Sequence, residues 1–375
     1  MADTRFIEVD RNMVVETSIK EPDIRFYNVR HEPFEIYGLY HPQTEPEFKR
    51  MPDEVAEATS AGVKKLNRHT AGGRVRFATD SPYIAVKCTM PYVTRYSHFP
   101  MTGTSAFDIY EDTEGGSRYR GCFIPHIDSK DGYESVLWLG NWDGLRAADA
   151  DGTPRLRYYT INFPLYNPVT NLYIGLRDSA RLESGRRYAA ELPVVYYGSS
   201  ITQGGCCSHA GNSYEAIIAR HTDWDYINLG FSGNGKAEDV IVEYMSGLPM
   251  LAFVSDYDHN APNVEYLKNT HLRMYKAIRE KQPKVPYIMI SLPDFDKSYN
   301  QSIARRDVVI DTYRYAREAG DRHVYYIDGQ GIFRGPDEEL CTVEGTHPND
   351  MGFMKMAETI ERVLRRSLRH GYLGN

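Results

Sequence analysis

With 375 residues the chain has room for two domains of ordinary size or one large one, and 41% hydrophobic and 25% charged content with a mean hydropathy of -0.53 describes a soluble globular protein. A formal net charge of -7 argues against nucleic acid, whose binders carry a basic stripe, and against an anionic membrane surface. No apolar run approaches the ~20 residues of a membrane span, and five cysteines without regular spacing argue against a disulfide framework.

The N-terminus shows no basic patch followed by an apolar stretch, so no secretory signal is read there and a cytoplasmic location is expected. A helix is predicted over residues 53–66. Around it the first half reads as strand: residues 74–80 alternate after the turn pair Gly72-Gly73, and residues 83–90 place Ile84, Val86, Cys88 and Met90 on one face. Further strands are expected at 105–110, 136–139, 156–163 and 171–176. Short strands between Gly, Pro, Asn and Asp clusters are the pattern of a β-sandwich, assigned here to residues 1–180. Residues 181–191, polar and containing Gly185, read as a linker.

From residue 192 to 375 strand and helix alternate. Strands are expected at 194–197, 226–229, 251–254, 287–290 and 324–327, and helices at 213–221, 238–245, 264–281, 303–318 and 350–368. That alternation means βαβ units and a parallel sheet, with any site beyond the carboxyl ends of its strands. Cys206 and Cys207 are adjacent, without C-x-x-C or a histidine cluster, so free thiols are expected and no metal or organic cofactor.

Four segments fall at those strand ends. Gly198-Ser199-Ser200 follows the first α/β strand, where flanking glycine permits a sharp turn. Asn228-Leu229-Gly230-Phe231-Ser232-Gly233 ends the next and can turn a backbone N–H toward a neighbour. Asp256-Tyr257-Asp258-His259-Asn260 follows the third and offers a side-chain amide. Glu344-Gly345-Thr346-His347-Pro348 precedes the last helix and sets an imidazole three residues after a carboxylate. Singly these are an ordinary turn, a cap and a helix start. Together they are a nucleophile, oxyanion donors and an acid–base pair, the inventory of acyl transfer.

In this order the four segments resemble the blocks of the SGNH (GDSL-like) hydrolase superfamily, and residues 103–110 resemble the β-sandwich module attached to one bacterial, carbohydrate-acetylesterase-like branch of it. The resemblance implies a flavodoxin-like three-layer α/β/α domain after a jelly-roll-like β-sandwich. It places the nucleophile at Ser200, the base at His347, the orienting carboxylate at Glu344, and the oxyanion hole at Ser200, Gly233 and Asn260. Ser199 stands where the family has aspartate, and Glu344 likewise replaces aspartate. The expected function is a serine esterase hydrolysing short acyl, above all O-acetyl, esters on sugars or oligosaccharides. The polar, small-residue loop 202–212 favours a short acyl group over a fatty chain. The alternatives are a non-catalytic carbohydrate-binding protein with a degenerate hydrolase domain, and an esterase, thioesterase or lipase for a non-sugar acyl group. No nucleic-acid or membrane partner is expected.

Overall fold

The computed structural model describes residues 5–10, 13–139, 155–293 and 299–372. Residues 1–4, which enter the reading of the N-terminus, lie outside them. The chain divides into two compact units, one of Met1–Lys49, Arg68–Arg187 and His209–Gly211, the other of Arg50–Asn67, Tyr188–Ser208 and Asn212–Asn375.

The first unit begins with β1 (Arg5–Asp10), β2 (Met13–Thr17), β3 (Ile24–Asn28) and β4 (Glu35–Tyr37). The chain then leaves it for α1 (Asp53–Thr59) and α2 (Ala61–Leu66). It returns with β5 (Arg74–Thr79), β6 (Tyr83–Thr89), the single turn α3 (Met101–Thr104), β7 (Phe107–Thr113), β8 (Gly116–Phe123), β9 (Gly132–Trp138), β10 (Arg157–Asn162), β11 (Asn171–Arg177) and β12 (Leu182–Ser184). Six strands form one antiparallel sheet, in the order β12-β5-β10-β7-β8 with β4 also on β5, and four form another, β3-β11-β6-β9. Val75, Phe77, Ile109 and Ile161 of the first sheet share one buried cluster with Ile84, Val86, Leu172 and Ile174 of the second. That shared core makes the unit a β-sandwich.

The predicted face of β6 is there, with Ile84, Val86 and Cys88 in this core. Its other face is also covered, because Tyr83 and Ala85 pack with Ile24 and Phe26 of the same sheet. Strands β1 to β4 and β8 were not among those expected, and two further stretches depart from what was. Residues 181–191 are not simply a linker: Leu182–Ser184 pair antiparallel with β5, and the chain re-enters the second unit at Tyr188. The helix expected over 53–66 is two helices, broken at Ser60, whose extended backbone (φ -170°) lets its hydroxyl accept the Val63 N–H at 3.1 Å. These helices do not belong to the β-sandwich, because Met51, Ala56, Val63 and Leu66 lie in the core of the α/β unit.

In the second unit β13 (Val194–Gly198), α4 (Tyr214–Thr222), β14 (Tyr226–Gly230), α5 (Asp239–Ser246), β15 (Ala252–Asp256), α6 (Val264–Lys281), β16 (Tyr287–Ile290), α7 (Tyr299–Glu318), β17 (Val324–Ile327) and α8 (Asp350–Tyr372) alternate. The sheet is parallel, in the order β14-β13-β15-β16-β17, the doubly wound arrangement of flavodoxin-like folds. Its strands are apolar on both faces because helices cover both. On one side Val195, Tyr197, Phe253 and Met289 meet Ile241, Met274 and Val309 of α5, α6 and α7. On the other, the Tyr196 and Tyr214 rings lie 5.6 Å apart and Tyr214 stacks on Phe353 of α8. The strand order reverses between β13 and β15, so the carboxyl ends of β13, β14 and β15 surround the crevice where such folds hold their ligands.

Candidate active site

β13 ends at Gly198, in register with Gly230 of β14 and Asp256 of β15. A Cβ on Gly198 would lie 2.1 Å from Thr202 Oγ1 and 2.2 Å from Asp256 Oδ1, so no other residue fits there. The chain then turns tightly: Gln203, Gly204 and Gly205 donate to the carbonyls of Ser199, Ile201 and Ser200 at 3.0, 2.9 and 2.8 Å. Ser199, at the position of the family's aspartate, accepts the Ile201 N–H on its hydroxyl at 3.0 Å, and so closes the turn without a carboxylate.

Two side chains tie this turn to the next loop. Asn228 donates to the Thr202 carbonyl at 2.6 Å, and the Gln203 amide oxygen accepts the Ser232 N–H at 3.0 Å. Gly233 follows in the left-handed region (φ 68°), where a side chain would be strained although no atom lies within 4 Å of where one would begin. The loop after β15 supplies Asn260, whose side-chain oxygen accepts the Gly235 N–H at 3.3 Å. That bond commits the oxygen and leaves the amide hydrogens for another acceptor. The adjacent His259 is engaged instead with Asp258, Nδ1 to Oδ1 at 3.1 Å.

The segment before α8 folds back on itself, with Thr342 bridged to Pro348 and the Val343 N–H bonded to the His347 carbonyl at 2.9 Å. Asn349 caps α8 by accepting from Met351 and Gly352, and the Asp350 carboxylate accepts the N–H and hydroxyl of Ser208 at 2.7 and 2.6 Å. This framework sets His347 Nε2 2.9 Å from Ser200 Oγ. On the other side of the ring Nδ1 bonds to Glu344 Oε1, and the same oxygen accepts the His347 backbone N–H at 2.9 Å. Glu344 reaches the imidazole because the turn between them is tight enough to share one oxygen between ring and backbone.

All five residues singled out in the sequence lie at the carboxyl end of one sheet. Those missed are the supports. Arg50, 2% exposed, donates to the carbonyls of Asn228, Gly230 and Leu66 at 3.2, 2.5 and 2.6 Å and lies 4.3 Å from the Phe231 ring. Nothing near Arg50 in the sequence signals this. Gln203 and Asn228 sit inside or beside the segments already noted, and their polarity within buried runs is the available signal. Burial pushes the Cys206 thiol up to about 12, with Glu344 adding to the shift, so it stays protonated and does not compete as a nucleophile. All five cysteines are free.

Residues 191–365 match the GDSL-like Lipase/Acylhydrolase family, and residues 24–182 match the domain described as the N-terminus of the SGNH-hydrolase-type esterases. The chain belongs to the SGNH (GDSL-like) hydrolase superfamily. As such it is an ester hydrolase. A Bacteroides ovatus protein described as a GDSL-like lipase is 25% identical, with a TM-score of 0.80 over 92% of this chain and 98% of that one. The salicylyl-acyltransferase SsfX3 of a tetracycline biosynthetic pathway shares the fold at 20% identity (TM-score 0.70; 92% and 98% covered). So does Est2A, an acetyl xylan esterase of the rumen bacterium Butyrivibrio proteoclasticus, at 12% identity (TM-score 0.55; 92% and 98% covered). No curated protein matches the chain by sequence. Among the described residues of this SGNH hydrolase, no helix is long and apolar enough to cross a membrane.

Proposed function

We propose that the protein is a serine esterase that removes short acyl groups, chiefly acetyl, from carbohydrates through an acyl-enzyme. The observation that carries this reading is the hydrogen-bonded row from Ser200 Oγ through His347 to Glu344. His347 Nε2 takes the hydroxyl proton as Ser200 attacks the ester carbonyl, because a hydroxyl is a weak nucleophile at its own pKa. Glu344 holds the Nδ1 proton, fixes the tautomer and stabilises the imidazolium. The oxyanion is received by the backbone N–H groups of Ser200 and Gly233 and the Asn260 amide, each donor worth about 10²–10³ in rate. The imidazolium then protonates the leaving alcohol, and water, deprotonated by the same histidine, releases the acid.

The substrate class rests on the loop after the nucleophile. Thr202, Gln203 and Cys207 are fully buried and the intervening residues are small, which favours a short acyl chain. The likeness to an acetyl xylan esterase points the same way. The test is acetate release from a panel of acetylated oligosaccharides, beside p-nitrophenyl esters from acetyl to octanoyl. The expected result is a kcat/KM that falls with chain length, and Ser200→Ala with under about 1% of wild-type rate at unchanged Tm. A kcat/KM rising toward octanoyl, or an active Ser200→Ala, overturns the reading.

A further inference from the structure

Behind the turn that carries Ser200 lies a carboxylate that the mechanism above does not use. Asp256 is the last residue of β15 and is 1% exposed. Its Oδ1 accepts the Thr202 hydroxyl at 2.5 Å, and the Ser199 backbone also hydrogen-bonds to it. These two donors stand on either side of Ser200–Ile201, so one carboxylate clamps the nucleophile turn from beneath. The close approach that forces glycine at 198 is an approach to this same Asp256–Thr202 pair. Its second oxygen, Oδ2, is buried with no hydrogen-bond partner.

That arrangement is costly for a fold and useful for a site. A carboxylate out of water needs most of its lone pairs filled, and a half-satisfied one is less stable than a neutral group of the same shape. The groups facing it do not relieve the cost. Glu215 of α4 and Asp258 add repulsion, His259 offers partial compensation, and the Tyr214 hydroxyl is turned toward Thr202 Oγ1 at 3.4 Å. Burial, the leading cause, holds Asp256 up at about 7 and Glu215 well above the usual carboxylate range.

We propose that Asp256 is a positioning residue of the acyl-transfer machinery: its carboxylate, bonded to Thr202 and Ser199, fixes the turn that presents Ser200 to His347, and does so at a cost in stability. The charged form is the effective one, because hydrogen bonds to a carboxylate are about twice as strong as those to a neutral acceptor. The inference rests on Ser200 being the nucleophile.

Asp256→Asn keeps the shape and an acceptor for Thr202 but removes the charge. Because the folded state holds this proton more tightly than the unfolded state, whose pKa is near the ordinary 3.8, the wild type loses stability as pH rises from about 4 to about 7. The variant is spared that loss. At pH 8 it should therefore melt about 3 °C or more above wild type, with the difference vanishing near pH 4. Its kcat on p-nitrophenyl acetate at pH 8 should fall about tenfold with KM within twofold. Thr202→Val should lower kcat similarly, and the double variant should be no slower than the worse single one, as expected for two ends of one bond. A wild-type kcat in Asp256→Asn, a fall in kcat that comes with a fall in Tm, or multiplicative losses in the double variant would each overturn the proposal. Ser200→Ala assayed alongside separates the two assignments. An active Ser200→Ala removes the nucleophile itself, whereas an inactive one beside a fully active Asp256→Asn removes only the clamp.

Discussion

Glu344 and His347 share one turn, and a single carboxylate oxygen serves both the ring and the backbone N–H of the histidine. If that oxygen holds the Nδ1 proton during catalysis, Glu344→Ala frees the imidazole to take the wrong tautomer, and a loss of about 10² to 10⁴ in kcat is expected. Steady-state kinetics on an acetyl ester check it; a variant within a few-fold of wild type would leave Ser200 and His347 working as a dyad. At this scale the candidate groups could be named from the sequence, and the side chains that support them could not. Ser200, Gly233, Asn260 and His347 each stand in a short local segment with its own turn residues, and it is the order of those segments, matched to the SGNH blocks, that picks them out. Arg50 bonds to the Gly230 carbonyl, 180 residues away, and such a long-range partner leaves no local trace, whereas Gln203 is marked only by its polarity beside the nucleophile segment.

Elements whose pattern is local were read closely. The helix at 264–281 has the predicted bounds because Asn263 caps it, accepting the Tyr266 N–H at 2.8 Å, and its apolar residues recur at helical spacing. The predicted span 53–66 has the same spacing on both sides of Ser60 and conceals the break, since a serine inside a helical pattern is unremarkable until its backbone is seen to be extended. β12 was missed because three residues in a polar stretch carry no period to read. The last helix offers a packing test. Phe353, Met356, Ile360 and Leu364 recur at three- and four-residue steps and are fully buried, in the manner of a helix that seals one face of a sheet. Ile360→Ala is expected to cost about 2–5 kcal/mol, read from urea unfolding with an unchanged m-value. A cost under about 1 kcal/mol would mean that α8 does not seal that face.

For the whole molecule, composition and the change of period near residue 192 were enough to separate a β-sandwich from a parallel α/β unit. They could not show that residues 50–67 belong to the second, because membership is decided by what the helices bury and not by where they fall in the chain. The expected consequence is that residues 188–375 expressed alone are poorly stable. They would lack Met51, Ala56, Val63 and Leu66 from their core, together with the Arg50 bonds to Asn228 and Gly230. A melt about 10 °C or more below that of the full chain, with binding of a hydrophobic dye, is the expected result; a sharp transition near the full-chain value would contradict it. The same threading governs how the protein is born. Arg50 emerges from the ribosome 180 residues ahead of the Gly230 carbonyl it will bind, an interval on the order of 10–40 s at ordinary rates of synthesis. During that interval α1 and α2 have no sheet to lie on, while strands β5 to β12 of the first unit are being made. Yield in a cell therefore depends on what shelters Met51, Ala56, Val63 and Leu66 until β13, β14 and β15 exist.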